Sequence, residues 1–287
     1  MRATPLLALV FSIGCGTSGG GGDPPVPTGF QPLLSGDWTM PPGQEGYFCV
    51  RATVAETMYI KAFRPIAPPG THHTALGFDL QGGTDGAFPC EAKDVGFKLL
   101  FGSGVGTEPY ALPDGVAFTL EGGSQVLLNL HLFNTTDAPI SGTSGIEIER
   151  IAEADVVHQA EVVYALDTNL DIPPGESVAT HTCTFATQST VVGVFPHMHK
   201  LGTRMTASLD HAGSSQMFFD HPYTFEEQLN YSTAAIEVAD GDKITYSCGY
   251  SNTTGHNVQF GDSTNDEMCV LGMYRYPSQG SISLCIN

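Results

Sequence analysis

Val126-Leu127-Leu128-Asn129-Leu130-His131-Leu132-Phe133 is the stretch that decides the fold. Val126, Leu128, Leu130 and Leu132 recur at every second residue, with Asn129 and His131 between them. Successive side chains of a strand point to opposite faces, so one face is apolar and the other carries Asn129 and His131 together. Short apolar runs of the same kind recur on either side: 47–54, 58–63, 75–80, 97–101 and 116–120 before it, and 156–166, 189–196, 204–209, 243–250 and 268–276 after it. Gly, Pro, Asn and Asp separate them. This spacing predicts the antiparallel strands of β-sandwiches. Residues 152–166 include Val156-Val157 and Val162-Val163-Tyr164, which favour strand over helix. Segment 140–155 has no turn-free apolar core and is expected as a hinge between a domain over 31–150 and a second over 151–287.

Composition agrees with an all-β, loop-rich chain. The 287 residues include 34 Gly and 19 Pro, and only 14% are charged. A hydrophobic fraction of 41% supports a sizeable core and excludes a disordered acidic tail. Lys and Arg number 11 against 30 Asp and Glu, a net charge of −19, so there is no basic face for nucleic acid.

The N-terminus reads as an address. Met1-Arg2 leads into Leu6-Leu7-Ala8-Leu9-Val10-Phe11, which is too short to span a bilayer and matches the core of a secretory signal. Gly14-Cys15 at its end resembles a bacterial lipoprotein signal over residues 1–15, with Cys15 bearing the lipid; Ser12 departs from the usual Leu or Val of that motif. Simple cleavage is the alternative. Residues 16–30, with Gly19-Gly20-Gly21-Gly22 and Pro24-Pro25-Val26-Pro27, then form a tether. The expected location is outside the cytoplasm, lipid-anchored at the bacterial cell envelope or else secreted, with membrane contact only through the anchor. Seven Cys is an odd number; without Cys15, six remain, which in an exported chain suggests three disulfides with 15 possible connectivities.

The 10 His invite a metal reading. His197-Met198-His199 follows an apolar run, and on an extended backbone residues two apart share a face, so both could grip one ion. Two His on a solvent face would look the same. His72-His73 follows Pro68-Pro69-Gly70; adjacent strand residues diverge, so both can serve one ion only where the backbone is irregular. His131 alone reads as an ordinary half-buried histidine. Met268, in Asp266-Glu267-Met268-Cys269, is ordinary core filler unless it joins two His, where its soft thioether suits copper, above all Cu(I), over zinc, calcium or magnesium.

The ordered set His72-His73, His131, His197-Met198-His199 and Asp266-Glu267-Met268-Cys269 resembles the copper type II, ascorbate-dependent monooxygenases. Gly46-Tyr47-Phe48-Cys49, Leu112-Pro113-Asp114-Gly115-Val116 and Asp171-Ile172-Pro173-Pro174-Gly175-Glu176 extend the likeness over most of the chain after Gly46. The resemblance implies two packed antiparallel β-sandwich, jelly-roll-like domains with an interdomain copper cleft. It implies two copper ions: an electron-transfer site at His72, His73 and His131, and an oxygen-activating, catalytic site at His197, His199 and Met268. It implies disulfides Cys49–Cys90, Cys183–Cys285 and Cys248–Cys269. The expected activity is hydroxylation of a C–H bond of a small organic substrate with dioxygen and ascorbate or another one-electron reductant, by a monomer. A copper-binding surface lipoprotein for capture or delivery is the alternative. The chain departs from the family where a substrate carboxylate is held: Phe195, Val270 and Gly272 stand where peptide-hydroxylating members carry Arg, Asn and Tyr. Lys200 and Arg204 are the nearest cations in the sequence.

Overall fold

Alternation of apolar and polar residues pairs the strands into facing sheets in each half of the chain. The structure is a computed structural model that describes residues 28–94, 98–261, 263–280 and 283–286. The expected signal and lipid site, residues 1–15 with Cys15, and the tether up to residue 27 lie outside the described residues. In the first half, one sheet runs in the order Gln31–Met40, Ile140–Ile151, Met58–Ile66, Val116–Leu120, His158–Gln159. The facing sheet runs Gly86–Pro89, Glu45–Thr53, Gln125–Phe133, Thr71–Phe78, Leu99–Gly104. Ile60, Phe63, Leu76, Phe101, Leu128 and Leu130 fill the space between them, with the Phe63 and Phe101 rings stacked at 4.9 Å. The deciding stretch is the central strand of its sheet and is buried on both faces from Val126 to Leu132, so His131 is 1% exposed rather than half-buried.

In the second half, a sheet in the order Tyr231–Val238, Ser189–His197, Val270–Tyr276, Glu161–Leu166, Ser283–Ile286 faces another in the order Gly175–Thr184, Lys243–Asn252, Gly202–His211, Ser214–Pro222. Val191, Val194, Met205, Ile244, Tyr246 and Met273 make its core. A single 3₁₀ turn, Glu153–Asp155, is the helical element among the described residues. The fold is therefore all-β, with packed antiparallel sheets.

Segment 140–155 is not a hinge. Its first twelve residues form the strand Ile140–Ile151, paired with Gln31–Met40 on one side and Met58–Ile66 on the other. Ile146 and Ile148 face the core, while Glu147 and Glu149 pair outward with Arg64 at 2.6 Å and Lys61 at 3.0 Å. The apolar face is thin, so the pattern hid a strand. The chain passes from the first pair of sheets to the second at Ala160, after His158–Gln159 pairs in parallel with Val116 and Ala117. The two halves share a buried seam in which Tyr110 and Tyr274 stack at 4.3 Å and Leu112 and Phe118 join Val162, Tyr164 and Val192 in one buried cluster.

Three disulfides form: Cys49–Cys90, Cys183–Cys285 and Cys248–Cys269, with Cα separations of 5.8, 5.7 and 5.9 Å. Cys183 and Cys285 join the two facing sheets of the second half. Replacing both by Ser is expected to cost about 2–5 kcal/mol. Denaturant unfolding checks this, and an unchanged midpoint would show that the bridge carries no stability.

Candidate metal centre

The first cluster depends on an irregularity in pairing. Thr71 lies opposite Leu132, but His73 lies opposite His131, so the strand Thr71–Phe78 carries one extra residue at His72. Such a bulge breaks the strict alternation of faces, and it lets adjacent histidines approach His131 together. Gly70 supplies the entry: its φ is +101°, and a Cβ there would lie 2.7 Å from the Trp38 ring. One ring nitrogen from each of His72, His73 and His131 lies within 4.8 Å of the others. The irregular backbone that the pair needs is thus the bulge at His72, just past the Pro-Pro-Gly run.

Glu45 and Tyr47 come from the neighbouring strand Glu45–Thr53. His131 donates its Nε2–H to Glu45 Oε1 at 2.6 Å, and Tyr47 stacks on the ring at 4.4 Å. This fixes the tautomer and leaves His131 Nδ1 as a lone pair. His73 Nδ1 lies 3.3 Å from that atom and 3.2 Å from His72 Nδ1. One proton on His73 Nδ1 can serve only one of these two contacts, whereas a cation among the three nitrogens satisfies all of them. Burial lowers all three imidazoles, His72 to about 4, so they are neutral, ligand-competent bases at neutral pH. The donor set fits copper, and nitrogen-only ligation argues against calcium or magnesium.

The second group gathers at the end of the Ser189–His197 strand. The rings of His197 and His199 stand perpendicular, with centroids 5.3 Å apart. His197 donates Nδ1–H to Gln228 Oε1 at 3.0 Å, and His199 donates Nδ1–H to the Asp266 carbonyl at 3.1 Å. Both therefore keep Nε2 as the lone pair. Burial lowers both, His197 to about 4. Met198, between them, is fully buried core. Met268 sits across the cavity wall; its carbonyl accepts the Tyr250 hydroxyl at 2.9 Å, and the next residue is tied by Cys248–Cys269. Two imidazole nitrogens and one thioether fit copper and suit no hard cation.

Sequence reasoning passed over Glu267. Its carboxylate is 0% exposed and accepts backbone N–H groups from His199 at 2.9 Å, Leu201 at 2.6 Å and Met268 at 3.3 Å. Burial raises its pKa against the lowering effect of those donors. The side chain knots the His199 turn to the Met268 segment. It lies beside Asp266 and Asn265, so no apolar pattern marked it; its place next to Met268 was the only available signal. Gln228 was missed for the same reason, being one polar residue in a loop.

One residue of the first group shares a cavity with the second, whereas His72 and His131 line a neighbouring hollow with Glu45 and Lys200. A cavity of about 330 Å³ between the halves is lined by His73 on one side and by His197, His199 and Met268 on the other. Phe225 stands between the groups, its ring 4.7 Å from His72 and 6.1 Å from His199. Its loop is pinned across the halves: Gly104 N–H donates to the Gln228 carbonyl at 3.1 Å, and Asn230 Nδ2 donates to the Gly102 carbonyl at 2.8 Å. Arg204 points elsewhere, in a two-point pair with Asp220, and Lys200 is exposed.

Residues 161–287 match the family model described as copper type II ascorbate-dependent monooxygenase, C-terminal domain. Among solved structures, one of the infectious bursal disease virus Gx strain is 9% identical, with 91% of this chain and 78% of that chain covered at a TM-score of 0.22. Vicilin from Capsicum annuum is 8% identical, with 86% and 76% covered at a TM-score of 0.16. Likenesses this weak carry no argument. The family match begins one residue after the chain crosses into its second pair of sheets, and it includes His197, His199 and Met268.

Proposed function

We infer, from the membership of residues 161–287 in the copper type II ascorbate-dependent monooxygenase family, that the whole chain is a dicopper monooxygenase. Its reaction is hydroxylation of a C–H bond of a small organic substrate, using dioxygen and an external one-electron reductant such as ascorbate. The observation that supports this most is that His73 of the three-histidine cluster lines the same cavity as His197, His199 and Met268. His72, His73 and His131 would hold one copper, and His197, His199 and Met268 the other. Bound copper would supply the one-electron redox chemistry and oxygen activation that side chains lack. The chain's own residues do the rest. Glu45, Gln228 and the Asp266 carbonyl fix which ring nitrogen is left as the lone pair and would face a bound metal. Phe225 stands between the groups. The Met268 thioether favours the reduced metal. Copper capture alone has no use for two sets of different softness.

The same reading makes the protein an exported monomer anchored through Cys15. The other six cysteines pair with one another, which leaves Cys15 over.

The test is oxygen consumption by copper-loaded protein with ascorbate and a panel of small substrates. Uptake coupled to a hydroxylated product is expected; none, across the panel, would sink the reading. Metal analysis is expected to give two coppers per wild-type chain and one in His131→Ala. A single copper in the wild type, or zinc retained against copper, would contradict the two-site assignment.

A further inference from the structure

Three neighbouring strands build the floor of the cleft in rows. On Glu161–Leu166, Val270–Tyr276 and Ser189–His197, Tyr164 and Phe195 both lie opposite Gly272. Two residues along the same face, Leu166 and His197 both lie opposite Val270. Cross-strand partners share a face, and rows two residues apart are spaced by about 7 Å. The first row is therefore an aromatic corner and the second an aliphatic step ending at His197. Met268 and His199, two residues further along their chains, close the sequence.

Gly272 makes the corner possible. A Cβ there would lie 2.0 Å from the Phe195 ring, so the ring rests directly on the glycine backbone. Tyr164 meets Phe195 edge to face at 5.6 Å. Leu99, Phe260 and Leu284 add to the apolar lining. Apart from histidine, Lys93 is the charged side chain among the described lining residues; it is 68% exposed and pairs with Glu91 at 2.7 Å. A carboxylate or ammonium carried into this space would lose its water and meet no buried counter-charge.

We propose that the substrate is a compact, uncharged molecule whose aromatic or alicyclic body packs in the Tyr164–Phe195 corner, with a short arm directed to the His197, His199 and Met268 end. The proposal rests on reading that end as the oxygen-activating site. A cavity of about 330 Å³ is at the small end for ligand pockets, so it suits one ring with a short chain.

The test is isothermal titration of the full copper-loaded chain, without reductant, using three molecules of one skeleton: 2-phenylethanol, phenylacetate and phenethylamine. The alcohol is expected to bind at least tenfold more tightly than either ion. Val270→Phe and Leu166→Phe, which fill the step, are each expected to weaken the alcohol at least tenfold; copper content and melting temperature show whether either variant is folded. Phe195→Arg is expected to bring phenylacetate level with the alcohol or above it. The proposal is overturned if the alcohol does not bind at millimolar concentration, if either ion matches it in the wild type, or if folded Val270→Phe binds all three unchanged. The wild-type comparison stands even if every variant misfolds. Alcohol binding without ascorbate-dependent oxygen uptake on any substrate leaves the pocket assignment standing and sinks the oxygenase. Uptake coupled only to hydroxylation of the charged analogues does the reverse.

Discussion

Met268→Leu is expected to cost roughly a hundredfold or more in ascorbate-dependent turnover while the fold and the three-histidine site survive. Leucine and methionine have similar volume, so the swap should cost less than about 1.5 kcal/mol of stability. It removes the sulfur, the one soft donor of its set. Changes merely next to a metal ligand already cost about 10–100-fold in affinity or activity, and this one would remove a ligand of the proposed site. Met268→His should still bind copper, since imidazole is a competent donor. It should also lose most turnover, because three imidazoles no longer favour Cu(I) as the thioether does. Metal analysis, competition against a Cu(I) chelator and oxygen uptake separate these effects. Wild-type rates in both variants would reduce Met268 to core packing and remove the mechanistic basis for the second site.

Glu267→Ala is expected to be the most destabilising change near the site. Three backbone N–H groups end on this carboxylate, from His199, Leu201 and Met268. A buried N–H left without an acceptor costs about 1–3 kcal/mol, so the total is roughly 3 kcal/mol or more. The loss is also directional. His199 and Met268 reach the cleft from different stretches of chain, and Glu267 is the side chain that bonds to both. Copper should therefore be lost from the His197, His199 and Met268 set while His72, His73 and His131 keep theirs. Glu267→Gln retains one carbonyl acceptor and should fall between. Thermal unfolding with copper content read together decides the matter: equal stability and two coppers in Glu267→Ala would show that the knot is incidental.

The strands were legible because period-two alternation is a direct record of a half-buried sheet. Where both faces are buried, or where the apolar face is thin, the record fades. His131 shows the first case, since its strand runs through the middle of a sheet and Tyr47 covers its ring. Ile140–Ile151 shows the second, since Ile146 and Ile148 are the fully buried apolar side chains of a strand whose other residues include Ser, Thr, Gly and Glu. The candidate ligands were legible as residue types in order, and the resemblance sorted them into two sets. The supporting groups were not. Glu45, Gln228 and Glu267 act through single hydrogen bonds formed by tertiary packing, and such bonds leave no periodic trace in a chain. The Phe195–Gly272 contact was equally hidden: each residue drew notice separately, but only the register of two strands shows that one rests on the other.

The seam between the halves has a consequence for what counts as a unit of this protein. The family match starts at residue 161, and a gene fragment cut there would look like a natural module. Its product would carry Val162, Tyr164, Val192 and Tyr274 into solvent, because their packing partners Tyr110, Leu112 and Phe118 stay on the other piece. The matched segment and the segment that buries its own apolar faces are thus different lengths of the same chain. Anyone shuffling the C-terminal half onto another scaffold must bring along an aromatic surface shaped like that of Tyr110 and Phe118, or redesign the face that meets it.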